Sequence, residues 1–235
     1  MTRNKFLHRA FVPFLMCGDG DTVAHARTAI NAGADALELG VPFSDPVADG
    51  PVIQAASLRA AGTTVNDCLD IVRQIRAEFP DTPIGMLIYG NIMFARDTLY
   101  EDFAEAGADS ILIPDIPVRE SAIILERAQN IDPIFIAPAN ADENTLANIA
   151  RVARGYVYAV SRDGVTGTDK KPTARVPQFD IPVLVGFGIS TPDDVRAALD
   201  AGADGVICGS AVIEATQRGE LAQFVSAMKA QTYPR

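Results

Sequence analysis

Two carboxylates, Glu38 and Asp49, stand on either side of a proline-punctuated loop in residues 36–54, ALELGVPFSDPVADGPVIQ. A pair of this kind suits general acid/base catalysis, because different burial can keep one carboxyl protonated and the other ionised. Glu38 interrupts a short apolar run, residues 36–41, whose length suggests a buried strand, and a buried strand rarely carries an ionisable residue. Pro42, Pro46 and Pro51 then restrict the backbone, and Pro51 sits where the first turn of a helix tolerates it. The stretch reads as strand, loop and helix start. A buried salt bridge is the competing role for Glu38 and helix capping the competing role for Asp49, while Asp45 reads equally as a turn residue.

A second set of residues has the chemistry of an anion site. Glycine-rich turns, GFGIS at 186–190 and CGSA at 208–211, each follow an apolar run near the end of the chain. Glycine lets backbone N–H groups approach an anion closely, and a helix N-terminus adds a favourable dipole. Either turn alone is unremarkable; as a pair they point to phosphate. A third glycine turn, SRDGVTGTD at 161–169, resembles a mobile lid, with Thr166 and Gly167 available for closure and phosphate binding.

The elements that must position these residues alternate. Strands are expected at 10–16, 36–41, 84–89, 110–114, 133–137, 156–161, 183–186 and 205–208. Helices are expected at 21–31, 51–61, 65–79, 93–106, 120–129, 143–153, 192–201 and 220–230. The tetrapeptide AGAD closes a helix and leads into an apolar strand three times, at 32–35, 106–109 and 201–204, so one βα joint is reused. Eight such units argue for a single α/β domain over 1–235, a closed (β/α)8 TIM barrel, with an open doubly wound sheet as the alternative. The absence of an early GxGxxG weakens the dinucleotide-binding form of that alternative. In a barrel, catalytic groups gather at the C-terminal ends of strands and interiors prefer branched apolar side chains, which favours the acid/base reading of Glu38 and Asp49.

Composition excludes some partners. A formal net charge of -10 would repel nucleic acid phosphates and anionic membrane surfaces. The three cysteines, Cys17, Cys68 and Cys208, lie far apart without a CxxC, so neither a disulfide framework nor a zinc or other metal site is indicated, and a reducing cytoplasm fits best. The N-terminal apolar run at 11–17 is broken by Pro13 and lacks a small residue before Cys17, so it reads as a first strand instead of a signal peptide. No later run approaches the length that crosses a bilayer.

With these residues in view, the chain resembles the α subunit of tryptophan synthase over nearly its whole length, through ELGVPFSDPVADGP, GVTG and GFGIS in that order. The resemblance implies a TIM barrel that cleaves indole-3-glycerol phosphate to indole and glyceraldehyde 3-phosphate. Position by position, it implies Glu38 as the general acid/base and Asp49 as the carboxylate facing the indole N–H. Tyr158 would line the site, Phe14, Leu87 and Ile136 would wall the indole, and Thr166 would meet the loop aspartate on closure. Gly167, Phe187, Gly188, Gly209 and Ser210 match the phosphate-binding loops. The resemblance further implies a β-subunit partner in an α2β2 tetramer, with Pro42, Asp45, Pro46 and Asn91 at or near the contact. No cofactor is expected in this chain, pyridoxal phosphate being expected in the β partner. The sequence departs from the family's pattern in three places: residues 167–182 leave little room for a helix after strand six, few residues precede the first strand, and Met16, Cys17 and Gly20 stand in FLMCGDGD. Another phosphate-binding barrel enzyme, or a barrel that has lost catalysis and activates a β subunit, are the alternatives.

Overall fold

A strand covered on both faces needs apolar residues at successive positions, and β1 (Ala10–Met16) meets that demand with AFVPFLM, buried throughout. The computed structural model describes residues 3–4, 7–160 and 176–234. After β1 come β2 (Leu37–Gly40), β3 (Ile84–Leu87), β4 (Ser110–Leu112), β5 (Asp132–Ala137), β6 (Val157–Val160), β7 (Val183–Gly186) and β8 (Gly205–Cys208). Every neighbouring pair is parallel and β8 returns to pair with β1, so the sheet closes into the expected (β/α)8 barrel. The N-terminal apolar run is thus a strand at the closing seam.

Helices α1 (Thr22–Asn31), α2 (Pro51–Arg59), α3 (Val65–Glu78), α4 (Gly90–Ala95) and α5 (Leu99–Ala106) accompany the first half of the barrel. The second half carries α6 (Ser121–Arg127), α7 (Glu143–Val152), α8 (Pro192–Asp200), α9 (Ser210–Gln217) and α10 (Leu221–Lys229). Outward-facing strand residues such as Phe11, Leu39 and Val206 meet Val72, Phe103, Ile149, Val195 and Val225 from the helices in one continuous apolar layer. Inward-facing Val12, Leu112, Ile134, Tyr156, Tyr158, Leu184 and Ile207 fill the barrel itself.

Two differences from the sequence expectation have local causes. The helix expected at 93–106 is two helices, because Arg96 turns extended (φ -139°, ψ 101°) and sends its guanidinium to Asp102 and Asn66. The turn expected at Gly209 and Ser210 opens a helix, α9, whose Val212, Ile213 and Ala215 are buried. Between β6 and β7, the described residues 176–182 form no helix; Val176 is buried in the outer apolar layer, and Phe179 and Ile181 pack against it. The rest of that connection, with the lid expected at 161–169, lies outside the described residues.

The AGAD repeat has a structural meaning. Its glycines, Gly33, Gly107 and Gly202, take left-handed φ values of 107°, 105° and 101°, which end the helices. Each aspartate then makes a reciprocal pair with the preceding strand: Asp35 with Phe11, Asp109 with Ile84 and Asp204 with Val183. In each pair the aspartate N–H donates to the strand carbonyl (3.0, 2.7 and 2.8 Å). The strand N–H in turn donates to the carboxylate (2.7, 2.9 and 2.9 Å). The β6 unit breaks this pattern for a covalent reason, since Pro133 of β5 has no N–H to give and Arg154 stands where the aspartate would be, donating to the Pro133 carbonyl at 3.3 Å.

Asp109 is the most enclosed of these joints, 2% exposed and also bonded to Arg76 at 2.7 Å and Arg3 at 2.8 Å. Asp109→Ala strands the Ile84 N–H and a largely buried guanidinium, so urea unfolding should show a loss of about 3 kcal/mol. Asp70→Ala, which removes an exposed pair on α3, should leave the midpoint unchanged.

Candidate active site

Strand register decides what surrounds Glu38. It lies opposite Phe14 of β1 and Gly85 of β3, pointing into the barrel, and is 2% exposed. No cation among the described residues pairs with it, and its Oε1 has no hydrogen-bond partner among them, so the salt-bridge alternative is not met there. Burial first, and the nearby Asp49 charge second, push its carboxyl up to about 8. At neutral pH Glu38 is mainly a protonated acid.

Asp49 is held at three points. Its N–H donates to the Pro46 carbonyl (3.0 Å), its carbonyl accepts from Gln54 Nε2 (2.8 Å), and its Oδ2 accepts from the Tyr89 hydroxyl (2.9 Å). Tyr89 also accepts from the Ala48 N–H at 3.1 Å and stacks on Phe43 at 5.0 Å between ring centroids. Helix capping does not explain Asp49: the N-cap of α2 is Gly50, without a side-chain cap, and Pro51 opens the helix as expected. Burial raises the Asp49 carboxyl to about 6 against the lowering effect of the Tyr89 hydrogen bond, so Asp49 is mainly ionised at neutral pH. Tyr89, pushed well above the ordinary phenol range by burial and by Asp49, stays a donor. Tyr89 escaped the sequence reading. Its one signal was a hydroxyl ending the apolar run at 84–89, since a buried tyrosine usually finds a partner for its hydroxyl.

The predicted wall residues share the barrel interior around this pair. Phe14 packs with Met16 and Leu87, while Leu87, Ile136 and Phe187 pack against the cluster containing Tyr158. Tyr158 meets Phe187 edge-on at 6.0 Å. Glycines make the room: a Cβ at Gly40 would stand 2.5 Å from the Phe14 ring, and one at Gly186 would stand 2.1 Å from the Tyr158 hydroxyl.

The predicted phosphate residues meet at the ends of β7 and β8. Phe187 and Gly188 take consecutive left-handed φ values, 65° and 79°, a conformation costly for phenylalanine and open to glycine, so the turn after β7 is tightly bent. Asp194 holds the far side of this loop, accepting from Ser190 N (3.0 Å) and Thr191 N (2.8 Å). The Cys208 thiol donates to the Ile189 carbonyl at 3.1 Å, and burial pushes that thiol up to about 12, so it remains a donor. Gly209 is the N-cap of α9 and Ser210 its first residue, with no side-chain cap in the way. Thr166 and Gly167 lie outside the described residues. Of the expected partner-contact residues, Asp45 and Asn91 are exposed and Pro42 and Pro46 half-buried, beside the exposed apolar side chains Val47 and Phe94.

Two buried carboxyls, Glu38 on β2 and Asp49 on the loop after it, inside a closed parallel barrel fit the class of (β/α)8-barrel enzymes. The family model described as Tryptophan synthase alpha chain matches residues 2–233. The chain belongs to the tryptophan synthase alpha chain family. Among its relatives, the alpha chain of Corynebacterium aurimucosum is 52% identical, with 95% of this chain and 92% of that protein covered. The alpha chain of Vibrio cholerae is 48% identical over 95% of this chain and 93% of its own length. Of solved structures, the tryptophan synthase of Mycobacterium tuberculosis superposes with a TM-score of 0.86 at 28% identity, covering 97% of this chain and 94% of that chain. The alpha subunit of Legionella pneumophila gives 0.84 at 27% identity, with 99% and 98% covered.

The upward shift of the Glu38 carboxyl has a stability consequence independent of activity. The folded state holds the proton more tightly than the unfolded chain, so this contribution is complete below the unfolded value of 4.5 and is lost as pH rises through about 8. Glu38→Gln has no such proton to lose. Between about pH 5 and about pH 8.5, its stability in urea should gain on the wild type by on the order of 3 kcal/mol.

Proposed function

We propose that Glu38 and Asp49 divide the proton transfers and charge stabilisation of indole-3-glycerol phosphate cleavage, and that the turns after β7 and β8 hold the phosphate. The chain is a carbon–carbon lyase of tryptophan biosynthesis, cleaving that substrate to indole and glyceraldehyde 3-phosphate. The observation that carries the division of roles is the unequal setting of two neighbouring buried carboxyls: Glu38 Oε1 has no hydrogen-bond partner among the described residues, whereas Asp49 Oδ2 accepts from the Tyr89 hydroxyl at 2.9 Å, and burial raises Glu38 further than Asp49.

The reaction needs a proton delivered to indole C3 and a proton removed from the adjacent side-chain hydroxyl. Protonated Glu38 gives its proton to C3, which places positive charge on the ring nitrogen. Ionised Asp49 stabilises that charge through the N–H. The Glu38 carboxylate then takes the hydroxyl proton, the oxygen forms a carbonyl, and the C3 bond to the glycerol chain breaks with its electron pair returning to the ring. One carboxyl acts first as acid and then as base. Phe14, Leu87, Ile136 and Tyr158 wall the indole, while Phe187, Gly188, Gly209 and Ser210 offer backbone donors to the phosphate, joined by Gly167. Glu38 supplies the proton transfers and Asp49 the charge stabilisation, so no cofactor of this chain enters the scheme.

A β subunit is the partner, and we assign the assembly as α2β2. A structural relative, at TM-score 0.78 and 29% identity, comes from the tryptophan synthase a2b2 complex of Pyrococcus furiosus. The exposed rim of Asp45, Val47, Asn91 and Phe94 supports a contact there, together with Pro42 and Pro46. In this reading the β subunit carries pyridoxal phosphate and takes the indole.

Glu38→Gln keeps size and hydrogen bonding but cannot exchange a proton, so indole release should fall about a hundredfold to ten-thousandfold. The variant should still bind a β subunit and stimulate its use of free indole. Near wild-type indole release would remove Glu38 from its role. For the phosphate site, Ser210→Asp sets a negative charge at the N-terminus of α9, and calorimetry should show glycerol 3-phosphate affinity reduced at least about tenfold by repulsion. Unchanged affinity would move the phosphate elsewhere.

A further inference from the structure

Helix α2 does more than follow the Asp49 loop. The helical ladder begins with Gln54 N–H donating to Gly50 O at 2.9 Å, so the Asp49 carbonyl lies one residue outside it. Gln54 reaches back along its own helix and donates to that carbonyl at 2.8 Å. Three residues on, the buried Ser57 hydroxyl accepts from Phe43 N–H and donates to Phe43 O, each at 2.9 Å, replacing both bonds that a neighbouring strand would make. Phe43 in turn stacks on Tyr89, whose hydroxyl holds the Asp49 carboxylate. Both ends of residues 43–49 are therefore fastened to one helix.

That helix is itself fixed. Ile53, Ala56 and Ala60 pack with Phe14, Met16 and Ile213, and Ile53 lies so close to the phosphate turn that a Cβ at Gly209 would come within 3.0 Å of its Cδ1. Arg59, its last residue, makes a two-bonded pair with Asp19 at 2.8 and 2.6 Å.

We propose that Gln54 and Ser57 are positioning residues for Asp49, which make α2 the reference against which the loop carboxylate is aligned with the substrate. The inference rests on the acid/base reading above. Ionised Asp49 must meet a ring nitrogen whose charge appears only after C3 is protonated, so loosening the loop acts on the chemical step and leaves the phosphate contacts that hold the ground state in place. An ångström of misplacement far from the reacting atoms can cost about a hundredfold in rate.

The test is indole release from indole-3-glycerol phosphate by the chain with its β subunit, for Gln54→Leu and Ser57→Ala, alone and each combined with Asp49→Asn. Either single change should lower kcat about tenfold to a hundredfold with KM altered by less than about threefold. In the Asp49→Asn background the same changes should cost less than about twofold more, because a residue acting through Asp49 has nothing left to position. Leu58→Ser, on the exposed side of the same helix, should keep the wild-type kcat. The proposal is overturned by a Gln54→Leu kcat within about twofold of wild type, or by losses that multiply in full with Asp49→Asn, which would mark a general structural effect. The Gln54 side chain is on the exposed face, so Gln54→Leu decides the matter even where Ser57→Ala fails to fold. Glu38→Gln is run in parallel: activity retained there refutes the acid/base reading, whereas an inactive Glu38→Gln beside a normal Gln54→Leu refutes the positioning role alone.

Discussion

A carboxyl group kept from water, with no countercharge among the described residues, is the constraint on which the barrel interior turns. Ionising Glu38 inside a layer made by Phe14, Gly85 and Tyr158 would leave a charge with neither solvent nor partner, and the group answers by holding its proton. That response gives the site its acid. The second carboxyl has a different setting: Asp49, close enough for its charge to be felt at Glu38, is raised by its own burial and lowered by the Tyr89 hydroxyl, and it stays mainly ionised at neutral pH. Two identical functional groups are thereby driven to opposite protonation states by what surrounds them.

The architecture was legible because its signals are local. Alternating apolar runs and helical spacing marked the strands, AGAD marked the joints, and Pro51 marked the start of α2. Glu38 stood out because an ionisable residue in a strand-length apolar run is conspicuous, and the glycine turns stood out by composition. The remainder depended on contacts between residues distant in sequence. Tyr89 reaches Asp49 across 40 positions, and no spacing rule links them. Likewise Arg96 broke a helical pattern through partners at Asp102 and Asn66, the latter 30 positions away. At α9 the difficulty was ambiguity: a Gly-Ser pair is both a turn signal and a helix opening, and only the burial of Val212 and Ile213 decides between them.

The small residues of the interior have a related logic. Gly40 and Gly186 close β2 and β7 at positions where a side chain would collide with Phe14 or Tyr158, so the aromatic walls and the glycines specify one another. The expected substrate walls occupy that shared space, which is why residues from β1, β3, β5 and β6 with no proximity in sequence form a single surface. In the same way α2 gathers the loop after β1, the Asp49 loop and the turn at Gly209 around its own sides.

The aspartate joints at the opposite end of the barrel bear on the order in which the chain assembles. Each links positions only 24, 25 or 21 residues apart, a short loop whose closure carries a small entropic cost. They can therefore exist in separate βα units and in an open sheet, before any ring is made. The seam between β1 and β8 is of another kind: Lys229 reaches Asp35 across 194 residues, so the joint nearest the start of the chain gains its cation from the last helix. Ring closure thus carries a larger loop-closure cost than any of these joints, and the first joint lacks this charge partner wherever the C-terminal helix is undocked.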